Sequence, residues 1–236
     1  MPSFLKLWIP VAVLTAVALV LAFKYVNPAP PSTFSIATGR ADGVYYQFAE
    51  KYKMLLQREG FQLEIIETAG SKAALEMLRN KEVDIAFVQG GVANDSNSEG
   101  LVSLASLFYE PLWIFYRQEH TGITYLSDLQ GLKLAIGEQG SGTQELVKQL
   151  LAENRIDENQ TKLFSITNTE ARRSLGNSDI DALFTVSNAE SGMLKELFND
   201  PNIQLMSMRR ALAYSRRLNY LQPLTIGEGM ILSLIH

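Results

Sequence analysis

The sequence predicts an α/β protein of two lobes built on mainly parallel sheets, preceded by an N-terminal membrane helix. Three observations predict it. Short strand patterns alternate with helical patterns from about residue 33 onward, which favours parallel sheets covered on both faces. Two such runs are separated near residues 115–130. Ahead of both lies the uncharged apolar run Leu7 to Phe23, "LWIPVAVLTAVALVLAF", with Lys6 before it and Lys24 after it.

The apolar run comes first. It is at the short end of the about 17–25 residues that span a bilayer and slightly long for a signal-peptide core. Val20 and Ala22 are the small residues nearest a cleavage point, but Phe23-Lys24 follows abruptly. Residues 1–26 therefore read as an uncleaved signal anchor or, as the alternative, a cleaved signal peptide, and either one exports the remainder because Lys6 favours the inner side. "NPAPPS", residues 27–32, reads as a stiff proline-rich spacer.

Lobe 1, residues 33–115, opens on the strand "TFSIATG". Residues 44–58 carry Tyr45, Phe48, Tyr52, Leu55 and Leu56 at helical spacing. "FQLEIIET" is a strand and "SKAALEMLRN" a helix with Ser71 placed to cap it. "VDIAFVQG" reads as a buried strand, and "LVSLASLFYEPLWIFYR" as strand-like and broken by Pro111. Lobe 2, residues 116–236, restarts after the turn "QEHTGITYLSDLQG". There "LKLAIG", "TKLFSIT", "DIDALFTV" and "IQLMSM" alternate with the helices "SGTQELVKQLLAEN", "TEARRSLGN" and "NAESGMLKELF". The helix-like "RRALAYSRR" sets Arg209, Arg210, Arg216 and Arg217 near one another, as a solvated face or a docking patch.

Composition removes most chemistry. The chain has no cysteine and only two histidines, His120 and His236, so thiolate chemistry is excluded and a multi-histidine metal site is not expected. A net charge of -4 and a pI near 5.3 argue against nucleic acid, which selects a basic face. "GEQGSGT", residues 137–143, lacks the lysine of a phosphate-binding loop, and "GRADG" lacks dinucleotide-type glycine spacing. Ser141 lies outside a G-x-S-x-G elbow. No cofactor and no enzymatic step are expected.

Strand-to-helix turns carry the candidate site. In open α/β sheets, ligands bind beyond the carboxyl ends of strands, where helix starts present N–H donors. Gly39 and Gly43 bracket one such turn, Gly140 to Thr143 form its counterpart in the second lobe, and "TAGS", residues 68–71, is a third. Matching turns on two lobes predict a cleft that grips an anion from both sides.

Five blocks in order resemble one family. "IATGRADGVYYQFAEKY", "GSKAALEMLRNKEVDIAFVQ", "LASLFYEPLWIFYR", "DLQGLKLAIGEQGSGTQELVKQLLAENRI" and "DIDALFTV" look like the motifs of the TAXI-type solute-binding subunits of TRAP transporters. The similarity runs from about residue 34 to about 231. It implies a two-lobe, type II periplasmic-binding-protein fold that closes on a small organic anion, with an amino acid or dicarboxylate as the leading guess. The captured solute would be delivered to a TRAP-type permease on the periplasmic side of the inner membrane. Carried over, Thr38, Gly39, Gly43, Tyr45, Tyr46 and Gln89 would line the first lobe, and Ser141, Gly142 and Thr143 would close from the second. Tyr45 lies on the apolar stripe and can equally be core; Tyr46 points off it and suits ligand contact. Glu110, before Pro111, reads as a hinge or capping residue.

Two departures stand out. Arg40-Ala41-Asp42 replaces small residues, so that Arg40 could pair with an anionic ligand or with Asp42. The chain also stops soon after "LTIGEGMILSLIH", where relatives run on, so a return segment completing lobe 1 is expected to be truncated. A sensory input domain using the same cleft, or a truncated remnant, is the alternative function.

Fractionation with N-terminal sequencing is expected to recover residues 1–32 on the membrane-bound protein. A soluble mature form beginning near Phe23 would show cleavage instead.

Overall fold

The computed structural model describes residues 2–25, 31–227 and 229. Contacts divide the chain into an N-terminal unit, Met1–Thr33, and a larger one, Phe34–His236. Among its described residues the N-terminal unit holds one helix, α1, Pro2–Tyr25, with every described side chain from Trp8 to Lys24 exposed. Among the described residues no helix is long and apolar enough to cross a membrane. The apolar run is helical, and its use as a membrane anchor is a proposal. The spacer expected at 27–32 falls mostly outside the described residues, as does most of the tail after Gly227 on which the expected truncation bears.

In the larger unit, the first sheet holds β1 Thr33–Ala37, β2 Gln62–Ile66 and β3 Ile85–Ala86 in the order β2-β1-β3, with β1 and β3 parallel. Alternation along β1 sends neighbouring residues to opposite faces. Ile36 packs with Leu63 and Phe87 under the stripe Tyr45, Phe48, Ala49 and Tyr52 of α2, Val44–Arg58. Ala37 packs with Ala74 of α3, Ser71–Arg79, and with Val83. One helix therefore covers each face, and this sheet with its helices is the first lobe.

The second lobe is a five-stranded sheet in the order β6-β5-β7-β4-β8. Its strands are β4 Leu112–Arg117, β5 Lys133–Ala135, β6 Lys162–Phe164, β7 Ala182–Val186 and β8 Ile203–Leu205. Helices α4 Gly142–Glu153, α5 Asn168–Gly176, α6 Gly192–Asn199 and α7 Ala211–Arg217 surround it. Ile114, Leu134 and Phe184 face α4, whereas Trp113, Phe115 and Leu183 face α5 and α6.

The structure corrects four expectations. The second sheet is mixed: β5 runs parallel to β6 and β7, but β4 is antiparallel to β7 and to β8. Residue 115, taken above as the lobe boundary, sits inside β4, which pairs only within the second sheet. The run "VDIAFVQG" forms only the two-residue β3, and "LVSLASLFYE" has no regular structure, leaving Val102, Leu104 and Tyr109 at 82%, 75% and 86% exposure. Apolar alternation alone does not make a strand without a neighbour for its backbone groups. Finally, Gly70 and not Ser71 occupies the position before α3. Ser71 is the first helical residue, and its hydroxyl accepts a hydrogen bond from the Gln89 N–H at 2.9 Å.

Phe184 lies at the centre of β7, opposite Ile114 of β4, and is buried. Phe184→Ala is expected to cost about 3–5 kcal/mol by opening a cavity. It should lower the urea midpoint at unchanged slope; an unchanged midpoint would contradict the core described here.

Candidate ligand-binding cleft

The turns after β1, β2 and β3 meet the turn after β5. Thr38 is fully buried, and its hydroxyl donates to the Gly39 carbonyl at 2.9 Å and to the Ile66 carbonyl at 3.2 Å. That hydroxyl is used inside the lobe. At Gly39 an added Cβ would meet open space, whereas at Gly43 it would come within 3.0 Å of the Arg40 carbonyl. Gly43 therefore closes the tight turn in which its own N–H donates to that carbonyl at 2.8 Å.

The paired tyrosines diverge. The Tyr45 ring sits 5.5 Å from Phe87 and 6.1 Å from Phe108, and its hydroxyl donates to the Glu110 carboxylate. Burial and the neighbouring Glu110 charge hold the Tyr45 hydroxyl well above the usual phenol range. Burial also pushes the Glu110 carboxyl up, opposed by the hydrogen bond from Tyr45. Tyr45 is thus a core residue anchoring the segment before β4. Tyr46 is half-buried and makes no hydrogen bond or ring contact among the described residues.

On the second lobe Ser141 starts α4. Its hydroxyl accepts from the Gln144 N–H at 3.1 Å and donates to the Glu138 carbonyl at 2.7 Å. The two roles fix the turn, and Thr143 is buried beside Gly137, where an added Cβ would lie 2.9 Å from the Thr143 Cβ. Gly142 faces Gln89 of the first lobe, whose amide nitrogen donates to the Gly142 carbonyl at 3.4 Å. A Cβ on Gly142 would fall 2.9 Å from the Gln89 Cβ.

Backbone meets backbone at Gly70, with φ +138, where a Cβ would stand 2.9 Å from the Ser141 Cα. Only glycine adopts that backbone conformation readily and leaves that space. The Gly140 carbonyl sits on the start of α3 and accepts from the N–H groups of Lys72 at 3.1 Å and Ala73 at 3.4 Å. It satisfies donors that a helix start otherwise leaves unpaired. The expected anion position on this helix is therefore filled by the other lobe's backbone. Ion pairs flank the contact: Lys72 Nζ to Glu145 at 2.9 Å, and Arg40 to Glu138. Arg40 thus pairs with Glu138 rather than with Asp42, because the Glu138 turn faces it from the second lobe. That partner holds the guanidinium even further above its ordinary range.

The structure brings Gln89 and Gly142 together and places Thr38, Gly43 and Tyr45 in supporting positions behind the cleft. The sequence reading placed Gly70 inside the candidate turn "TAGS" without naming it, and it did not name Lys72, Glu138 or Glu145 as site residues. Their only signal was position, beside strand-to-helix turns. The arginines of "RRALAYSRR" separate: Arg210 stacks on Tyr125 at 4.5 Å, and Arg217 pairs with Glu153 at 2.6 Å.

One group could present metal ligands among the described residues, Glu119, His120 and Asp181, with ligand atoms within 4.8 Å. It lies at the carboxyl end of β4, the end of the second sheet opposite the cleft. Arg117 already holds both Glu119 carboxylate oxygens at 2.9 Å, and its charge opposes a cation there.

Two sheets of this order, covered by helices and facing each other through strand-end turns, define the two-lobe α/β fold of type II periplasmic binding proteins. The chain belongs to the NMT1-like family, whose model matches residues 36–231. A structure from Bordetella bronchiseptica RB50 is similar at 19% identity and TM-score 0.61, covering 81% of this chain and 61% of that one. The alkanesulfonate-binding protein SsuA from Xanthomonas axonopodis pv. citri, bound to MOPS, is similar at 17% identity and TM-score 0.53, covering 81% and 70%. An ancestral arginine-binding protein bound to arginine is similar at 15% identity and TM-score 0.57, covering 88% and 90%. At these identities the likeness is one of fold.

Tyr45→Phe should destabilise the chain by about 1–3 kcal/mol at neutral pH, since it strands a half-buried carboxyl. Because the folded Glu110 pKa is raised, its contribution to stability is full at low pH and falls as pH rises through and above the ordinary carboxylate range. Glu110→Gln should flatten that fall in urea titrations from about pH 4.5 to about 7.5. A wild-type and a variant curve of the same shape would remove Glu110 from this role.

Proposed function

We propose that this chain is a solute-binding protein that works outside the cytoplasm. It captures a small organic solute between its lobes and, as the TAXI-type resemblance implies, hands it to a TRAP-type permease. The observation that carries the reading is the meeting of glycine-rich turns from both lobes at Gly70, Gly140 and Gly142. Backbones that approach so closely fit lobes that close on each other, and a solute entering there would replace the contacts between them. The named neighbours that bind a sulfonate buffer or arginine support a small charged solute. Binding and closure need no chemical step, so no enzymatic activity is proposed.

Within this reading the lobes divide ahead of Leu112, Tyr46 and Gln89 contact the solute from the first lobe, and Gly142 and Thr143 contact it from the second. The N-terminal helix would tether the protein to the periplasmic face of the inner membrane, or be removed to leave a soluble periplasmic form. Saturating solute, at about 100 times its dissociation constant, would add about 2.7 kcal/mol of stability.

Calorimetric titration of the full chain tests the two-lobe site. Gly142→Val and Tyr46→Ala, both checked for folding by circular dichroism, should each weaken solute binding about tenfold or more, since a ligand hydrogen bond to a charged group is worth about 1.5–3 kcal/mol. If folded Gly142→Val binds as wild type while Tyr46→Ala fails, the site belongs to the first lobe alone.

A further inference from the structure

Helix α4 turns one stripe toward the first lobe. Gly142, Glu145 and Gln149 follow one another at intervals of three and four residues, which puts them on one face of the helix. The first two meet the first lobe directly. The Gly142 carbonyl accepts from the Gln89 amide at 3.4 Å, and Glu145 accepts from the Lys72 ammonium at 2.9 Å. Gln149 works through an intermediary. Its side-chain oxygen accepts a hydrogen bond at 2.6 Å from the hydroxyl of Tyr220.

Tyr220 carries the contact onward. It follows α7, on a segment whose Leu218, Tyr220 and Leu221 pack against the core of the second lobe. Its ring reaches across to Gly90 and Gly91 of the first lobe. A Cβ on Gly90 would stand 3.8 Å from the Tyr220 Cβ, and one on Gly91 would run into the ring itself. Gly91 has φ +86, a conformation that glycine adopts readily, and its missing side chain makes the room that the ring fills. Tyr220 is therefore held at its base by core packing and at its tip by Gln149, with Gly91 against the ring between them.

The turn under the ring is the one that carries Gln89. It leaves a strand of only two residues, Ile85–Ala86, so the sheet fixes little of it. Within the first lobe the N–H of Phe87 donates to the Ala37 carbonyl at 3.0 Å, that of Gln89 to the Ser71 hydroxyl at 2.9 Å, and that of Val92 to the Gln89 carbonyl at 3.3 Å. A segment with few ladder bonds opens locally unless something covers it. Tyr220 is that cover.

We infer that Tyr220 is a positioning residue for Gln89: from the second lobe it holds the Gly90–Gly91 turn against α4 and so sets the Gln89 amide on the Gly142 carbonyl. This goes beyond the solute-binding reading, and it is measured with no solute added.

The test is hydrogen exchange of the full chain, followed by mass spectrometry of peptides covering residues 87–92 and, as the comparison, residues 112–117 of β4. Tyr220→Ala should speed exchange at 87–92 while leaving the β4 amides as in wild type. Tyr220→Phe keeps the ring on Gly91 and loses only the bond to Gln149, so most of the protection should return. Its exchange at 87–92 should be faster than wild type by about two- to tenfold, the scale of one hydrogen bond. Gln149→Ala removes the same bond from the other side and should match it. Because the two share one interaction, the double variant should be no faster than either single one. These two variants decide the matter even if Tyr220→Ala fails to fold. Wild-type exchange at 87–92 in every folded variant overturns the inference. So does faster exchange of equal size at 112–117, which would make Tyr220 a packing residue of the second lobe alone. Neither result bears on solute binding, which the titrations above test separately.

Discussion

The Gly140 carbonyl on the start of α3 is the contact on which the arrangement of the two lobes depends. Two N–H groups of the helix, from Lys72 and Ala73, point at it. Such groups are costly to leave unpaired when covered. Nothing in the first lobe answers them, because the residue before the helix is Gly70, which has no side chain to cap with. The same absence lets the Ser141 backbone come close. One residue thus creates the need and opens the space through which the second lobe meets it.

The rest of the site is built around that contact by residues with conformational tasks. Ser141 spends its hydroxyl on the α4 turn, Thr38 on the end of β1, and Ser71 on the Gln89 N–H. Each hydroxyl is small and polar at a strand-to-helix junction, a description that fits a ligand contact and a turn-builder equally well. Bond partners separate the two. Two ion pairs, Arg40 with Glu138 and Lys72 with Glu145, also join the lobes there.

The sheets make this possible by ending their strands at the same place. In each lobe, residues facing alternate sides of a central strand are covered by helices on both faces, which leaves only the strand ends open. The antiparallel β4 departs from that scheme. It enters the second sheet between β7 and β8 and turns its carboxyl end, with Arg117 and the Glu119-His120-Asp181 group, away from the cleft. Chemistry-bearing residues at that end are held by ion pairs within the lobe.

The sequence by itself determined the local elements. The α2 stripe, the helices that begin at Ser71, Gly142 and Asn168, and the two alternating runs all follow from spacing, because periodicity and turn chemistry act over a few residues. It also marked the turns where the lobes meet. Tertiary structure decided the pairing. Whether "VDIAFVQ" is a long strand or two residues of one depends on a neighbouring backbone. Whether β4 runs parallel depends on which sheet it enters. Whether Arg40 is free depends on Glu138, which lies far from it in the chain and meets it only when the lobes come together. Long-range partners of this kind leave no periodic trace, because a charged residue at a turn looks the same to its sequence neighbours whether or not another turn stands opposite.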